Sequence, residues 1–282
     1  MDTKTKNLVL TIVLAVLIIA TIVVLGFIGK GYYDKLNHKV ENPRVTMKVQ
    51  GFGSMVIELY PDIAPDTVAN FLKLSENGFY NGLTFHRIMS TFMVQGGDPN
   101  GDGSGGPSLS DLYKETPEEN DKEYAIEGEF AANDHMENNL KLSKGVIAMA
   151  RSDYSSISQS LLKQGYNSAG SQFFIMTTDE ETGIDGMYAG FGKVIESYDV
   201  DGNKLENPYE VLDKLAAVEV TSSEDGGEQS TPVTAPVIES ITVDTHGIDY
   251  GYPETHDTFD YYNYIMSQYS SSVTSSTVTP EE

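Results

Sequence analysis

The sequence predicts an all-β domain, a barrel or a sandwich, behind an N-terminal membrane span. Short apolar segments alternate with glycine-rich turns along most of the chain, only a few short segments have helical spacing, and residues 8–28 carry no charge.

Residues 8–28 are rich in Leu, Ile and Val. As a helix this run reaches about 30 Å, the thickness of a bilayer's hydrocarbon core. A cleaved signal peptide is the competing reading, but the run exceeds an ordinary signal core, and Gly26-Phe27-Ile28-Gly29-Lys30 offers no Ala-x-Ala type site. Residues 1–7 are thus a flank, 8–29 an uncleaved anchor and 30–44 a polar spacer. Lys4 and Lys6 precede the span while Lys30, Lys35, Lys39 and Arg44 follow it, so basic residues give no clean orientation.

Residues 45–60 alternate around Gly51-Phe52-Gly53 and predict a hairpin. A helix follows at 64–74: Pro65 suits its first turn, Val68, Phe71 and Leu72 share a face, and Gly78 ends it. Residues 83–89 read as a strand with Phe85, Arg87 and Met89 on one face. Residues 96–107 are too glycine-rich for regular structure, and 111–138 read as an acidic, solvated excursion around Ile126 and Phe130. Further strands are expected at 145–150, 172–176, 191–196 and 237–243, with a short helix at 209–215. Tyr154, Ile157 and Leu161 fall at helical spacing, Ser155 or Ser156 can cap them and Gly165 can end the turn, predicting a small amphipathic helix. The folded domain is placed at 45–248. Residues 249–282, rich in Tyr, Ser, Thr and acids, read as a disordered tail.

With 282 residues, 39% of them hydrophobic, the chain can bury a sizeable core. Its net charge of -24, from 42 acidic and 18 basic residues, opposes nucleic-acid partners. No cysteine is present, which excludes disulfides and thiolate chemistry. Two acidic stretches resemble calcium loops, but position twelve after Asp98 is Leu109, and in the run from Asp199 to Glu210 Lys204 stands where the loop needs glycine. The Asp201-Gly202-Asn203 run is more simply a hairpin turn. No metal and no cofactor are expected.

Arg87 stands among apolar neighbours, where a guanidinium costs free energy unless its donors are used. A lone arginine of this kind more often lays its stem on the core edge and its head in water. Its surroundings shift that weighting. Phe85-His86-Arg87-Ile88-Met89 is followed by Phe92-Met93-Val94-Gln95-Gly96-Gly97-Asp98, then by Gly170-Ser171-Gln172-Phe173-Phe174-Ile175 and Phe191-Gly192-Lys193-Val194-Ile195. These blocks, in this order, resemble the cyclophilin family of peptidyl-prolyl cis/trans isomerases, over residues 45 to 220 or so.

That resemblance implies a closed eight-stranded antiparallel barrel with a short helix at each end, filled by side chains, so that the active surface lies outside. It implies Arg87 as the donor to the prolyl amide, with Phe92 and Gln95 completing the catalytic set. His86, Met93, Ala150, Arg151, Gln172, Phe174, Ile184 and Tyr188 would form the substrate surface. Within it Phe92, Met93 and Phe174 floor the proline ring, Gln95 and Gln172 hold the peptide backbone, and Ala150 and Arg151 offer a strand edge. Arg151 stands where the family often has asparagine, and Ile184 and Tyr188 replace its usual leucine and histidine at the rim. His86 has no partner at metal-ligand spacing. With no tryptophan in the chain, the rim indole of cyclosporin-sensitive members is missing. The expected partners are proline-containing polypeptides, handled by a monomer whose domain lies outside the cytoplasm, as in membrane-anchored bacterial members. The rival reading is a non-catalytic module that holds proline segments, which would not need a donor over the prolyl nitrogen.

Overall fold

The computed structural model describes residues 41–155, 157–222 and 228–275, with scattered positions between 2 and 26. Among the described residues no helix is long and apolar enough to cross a membrane, and much of the expected anchor and spacer lies outside them.

Strands β1 (Arg44–Val49) and β2 (Gly53–Leu59) pair antiparallel around the predicted turn. Helix α1 (Pro65–Glu76) begins at the expected proline, and its residue before the first turn, Ala64, provides no side-chain cap. Glu129 supplies one instead: its buried carboxylate accepts from the N–H groups of Asp66 and Thr67 at 3.1 and 2.8 Å. Strands β3 (Thr84–Met89) and β4 (Met93–Asp98) form the next hairpin, followed by helix α2 (Leu109–Tyr113) and the short β5 (Tyr124–Ile126). Then come β6 (Val146–Met149), α3 (Leu162–Tyr166), β7 (Phe173–Met176), β8 (Gly190–Tyr198) and α4 (Glu210–Ala216). The chain continues through β9 (Val220–Ser222), β10 (Gln229–Pro232), β11 (Ile238–Asp244), β12 (Thr255–Asp257) and α5 (Tyr261–Ser275).

Eight strands make one antiparallel sheet in the order β11-β1-β2-β8-β6-β7-β4-β3. The sheet curls but its ladder stays open, in place of the closed barrel expected. Its end strands meet through one bridge, Thr84 to Val237, with backbone bonds from Phe85 to Pro236 and from Ile238 to Leu83. Pro236 has no N–H, so a full ladder cannot run through this seam. Inside the curl, Phe71 lies 5.0 Å from Tyr80, 5.6 Å from Phe173 and 5.2 Å from Phe191 between ring centres. Helix α1 adds Val68, Leu72 and Leu74 to this core, and α4 adds Val211, Leu212 and Leu215, so the two expected helices both cover it.

Four local expectations change. Phe85 and Arg87 do not share a face, because Phe85 pairs with Gly96 and Arg87 with Gln95, leaving His86 as a bulge. The bulge turns Phe85 into the core with Ile88 and puts Arg87 outside. The acidic excursion is anchored: Tyr124, Ile126, Phe130 and Glu129 are buried along it. The small helix starts later than predicted, as a 3₁₀ turn at Gln159–Leu161 capped by Ser158 and continuing into α3, with Gly165 inside it and Ile157 exposed. Thr255–Asp257, in the segment read as a disordered tail, pairs antiparallel with β5. The hairpin at Asp199 forms as predicted, the side chain accepting from the N–H groups of Asp201 and Asn203.

Candidate active site

Strand alternation builds the site on the outer face of the sheet. Along β4, β6 and β7, Val94, Ile147, Phe173 and Ile175 point into the core, while Met93, Val146, Ala148, Phe174 and Met176 form a second apolar cluster behind them. Met89, Phe92, Ala150, Ile184 and Tyr188 pack against that cluster from its edges. Phe92 is set by its N–H bonding to Met89 and by its carbonyl accepting from Thr177. The result is an apolar floor with Arg87 at one side.

All five guanidinium donors of Arg87 have somewhere to go. Nε and one Nη2 hydrogen form a fork on the Glu228 carboxylate, at 3.0 and 3.1 Å. Nη1 donates to Gln95 Oε1 at 3.2 Å. The remaining directions meet only thioethers, Met93 Sδ at 3.9 Å from Nη1 and Met89 Sδ at 3.3 Å from Nη2. Sulfur is a weak acceptor, so these two donors are the cheapest to redirect toward a ligand on the floor.

The polar chain continues beyond Gln95. Its Nε2 donates to Gln172 Oε1 at 3.0 Å, and Gln172 Nε2 donates to the carbonyls of Gly103 and Gly105 at 3.0 and 2.9 Å. That glycine-rich loop is wound around Asp98, which is 1% exposed. Its carboxylate accepts from the backbone N–H groups of Asn100, Asp102, Gly103 and Gly105. Gly97 must be glycine here: its φ is +83°, and a Cβ would sit 2.5 Å from the Ser171 carbonyl oxygen.

The rim carries side-chain contacts beyond the expected strand edge. Ala150 spends its N–H on the Gln172 carbonyl at 2.9 Å. Arg151 offers more than backbone: its guanidinium lies 4.6 Å from the Tyr188 ring centre, 4.8 Å from Tyr166 and 5.6 Å from Phe130. Its Nε donates to Met187 O and its Nη1 to Ser152 O, both at 3.1 Å. Tyr188 in turn meets Phe174 edge-on at 5.4 Å. His86 is set apart from these contacts, since both ring nitrogens are buried without a partner and neither is presented to a ligand. Burial, with the nearby Arg87 charge, holds its imidazole below the ordinary pKa against the opposing pull of Asp98 and Asp102.

The model of the cyclophilin type peptidyl-prolyl cis-trans isomerase family matches residues 44–243. The chain belongs to the cyclophilin family. A candidate peptidyl-prolyl cis-trans isomerase of Staphylococcus epidermidis is 33% identical over 223 residues, covering 75% of this chain and 98% of its own length. A candidate bifunctional phosphatase/peptidyl-prolyl cis-trans isomerase of Streptococcus pyogenes is 34% identical over 227 residues, 74% of this chain. This cyclophilin spans only 40% of that relative's length. Among solved structures, a Cryptosporidium parvum cyclophilin type isomerase, crystallised in the presence of the dipeptide Ala-Pro, aligns with a TM-score of 0.50 and 25% identity. The alignment covers 71% of this chain and 98% of that one. The cyclophilin domain is thus a peptidyl-prolyl cis/trans isomerase by family, and its match ends at Val243, before β12 and α5.

Sequence reasoning missed Glu228, Asp98 as an organiser, and the Phe130 and Tyr166 rings around Arg151. Glu228 and Arg87 are 141 positions apart. Asp98 did carry a local signal, an acid opening a run of glycines.

Proposed function

We propose that Arg87 catalyses rotation about the X-Pro bond by donating a hydrogen bond to the prolyl nitrogen as the amide twists. Resonance in the planar amide sets a barrier of about 18–20 kcal/mol. Twisting breaks that resonance and returns a lone pair to nitrogen, so a donor placed there stabilises the transition state more than the ground state. No nucleophile, metal or proton transfer enters this reaction. The observation that carries the reading is the hold on the guanidinium: Glu228 and Gln95 fix it beside the floor of Phe92, Met93 and Phe174 while two donors rest on sulfur. Gln172 and the rim of Ala150, Arg151, Ile184 and Tyr188 would receive the flanking peptide. Exchange NMR on a proline peptide tests it through Arg87→Lys, which keeps the charge but loses the planar fork, and is expected to lower kcat with the fold intact.

The same reading keeps residues 8–29 as an uncleaved anchor, with the isomerase domain outside the cytoplasm acting on proteins that fold there. The charge-free run supports the anchor, and the bacterial relatives accord with a bacterial membrane. Protease added to intact protoplasts should digest the domain, and the purified protein should retain residues before 8. Protection until the membrane is opened would reverse the orientation.

A further inference from the structure

A cavity of about 330 Å³ adjoins the site, sharing Gln95, Gln172 and Ala150 with it. Its far wall comes from two places outside the strands that carry the floor: Tyr154, after β6, and Thr258 and Phe259, just after β12. The rings of Tyr154 and Phe259 lie 5.2 Å apart, and Tyr154 stacks parallel on Tyr261 at 6.1 Å. This wall is fastened to the domain. Strand β12 pairs Thr255 with Ile126 and Asp257 with Tyr124, and Lys122 forms an ion pair with Asp257. Tyr124 is itself buried, its hydroxyl donating to Asn70 Oδ1 at 2.6 Å.

We infer that Phe259, with Tyr154, walls a pocket for the side chain preceding the substrate proline, so that the segment after the family domain selects substrates. The inference rests on the Arg87 reading. If Arg87 acts on the prolyl nitrogen and the ring lies on Met93 and Phe174, the acyl group on that nitrogen belongs to the preceding residue. The polar chain from Arg87 through Gln95 to Gln172 leads from the nitrogen toward the cavity. The volume is near the lower end of ligand pockets, about 300–1,000 Å³, which suits one large side chain better than a free ligand. Two aromatic rings at the wall favour leucine or phenylalanine over alanine there.

The test uses the full chain and peptides with Ala, Leu or Phe before the proline, read by exchange NMR. Phe259→Ala should lower kcat/KM for the Phe peptide more than for the Ala peptide, reducing the Phe to Ala preference about tenfold. Phe259→Leu should lie between, and Tyr262→Ala, in the same segment but 71% exposed, should match wild type. An unchanged preference in folded Phe259→Ala overturns the inference and leaves the isomerase mechanism standing. Failure of Arg87→Ala to slow the Ala peptide removes the mechanism instead. Should Phe259→Ala not fold, a benzophenone side chain placed before the proline is photo-crosslinked to wild type. Attachment at Tyr154 or Phe259 supports the wall, and attachment at Ile184, which packs on the floor cluster and does not line the cavity, contradicts it.

Discussion

Glu228 grips Arg87 through a two-point fork, at 3.0 and 3.1 Å, across 141 positions of chain. The pair is partly exposed, at 35% and 42%, so its worth to global stability is small. Its consequence is orientation, because a fork fixes the guanidinium plane as a single bond does not. Glu228→Gln should therefore lower kcat roughly threefold to tenfold with KM and melting temperature near wild type, since misplacing a catalytic group slightly is costly. A faster enzyme would show that the carboxylate competes with substrate for Arg87.

Arg151 is held by its face and its edge together, between Tyr188 and Tyr166 and on Met187 O. Arg151→Lys keeps the charge but loses the planar stack and the Nε bond. Denaturant unfolding should show a loss of about 1–2 kcal/mol, and KM should rise because Tyr188 and its edge contact with Phe174 loosen. An unchanged KM would reduce the cage to a structural role.

The strands and both covering helices were legible because alternation and 3.6-residue spacing are local signals, whereas the floor of Phe92, Met93 and Phe174 was implied only by the resemblance to the cyclophilin family. Within the strand expected at 172–176, alternation sends Phe173 into the core and Phe174 to the outer face. The face of Arg87 was not legible: a one-residue bulge at His86 shifts every side chain after it to the other face, and nothing at that position marks it. Glu228 was invisible for a different reason, since an ion pair across the fold leaves no spacing to read. The segment after Asp249 misled because polar composition suggests disorder, whereas Thr255–Asp257 gains its order from the backbone bonds of an edge strand on β5.

Asp98 tests how far the loop supports the site. Asp98→Ala leaves four backbone N–H groups without their acceptor and should destabilise the domain by about 3 kcal/mol. Asp98→Asn retains one carbonyl oxygen and should lose less. If the loop positions Gln172, kcat/KM falls in both folded variants, and a wild-type rate in Asp98→Asn would separate loop from catalysis.

His86 sets a pH dependence. Its folded pKa lies below the ordinary 6.5, chiefly through burial, so the unfolded chain binds the proton more readily. This contribution to stability is fully present above about pH 6.5 and is lost as pH falls toward the lower folded value. Melting temperature should drop more steeply between pH 7.5 and 5.5, both roughly bracketing that window, in wild type than in His86→Gln. Parallel curves would mean that His86 charges freely in the folded domain.

The central claim is that a donor on Arg87 lowers the rotational barrier, and exchange NMR on an Ala-Pro peptide with Arg87→Ala tests it most directly. In a variant that melts like wild type, kcat/KM should fall by about 10², the scale of losing one preorganised donor. A folded Arg87→Ala that isomerises the peptide at the wild-type rate would contradict it.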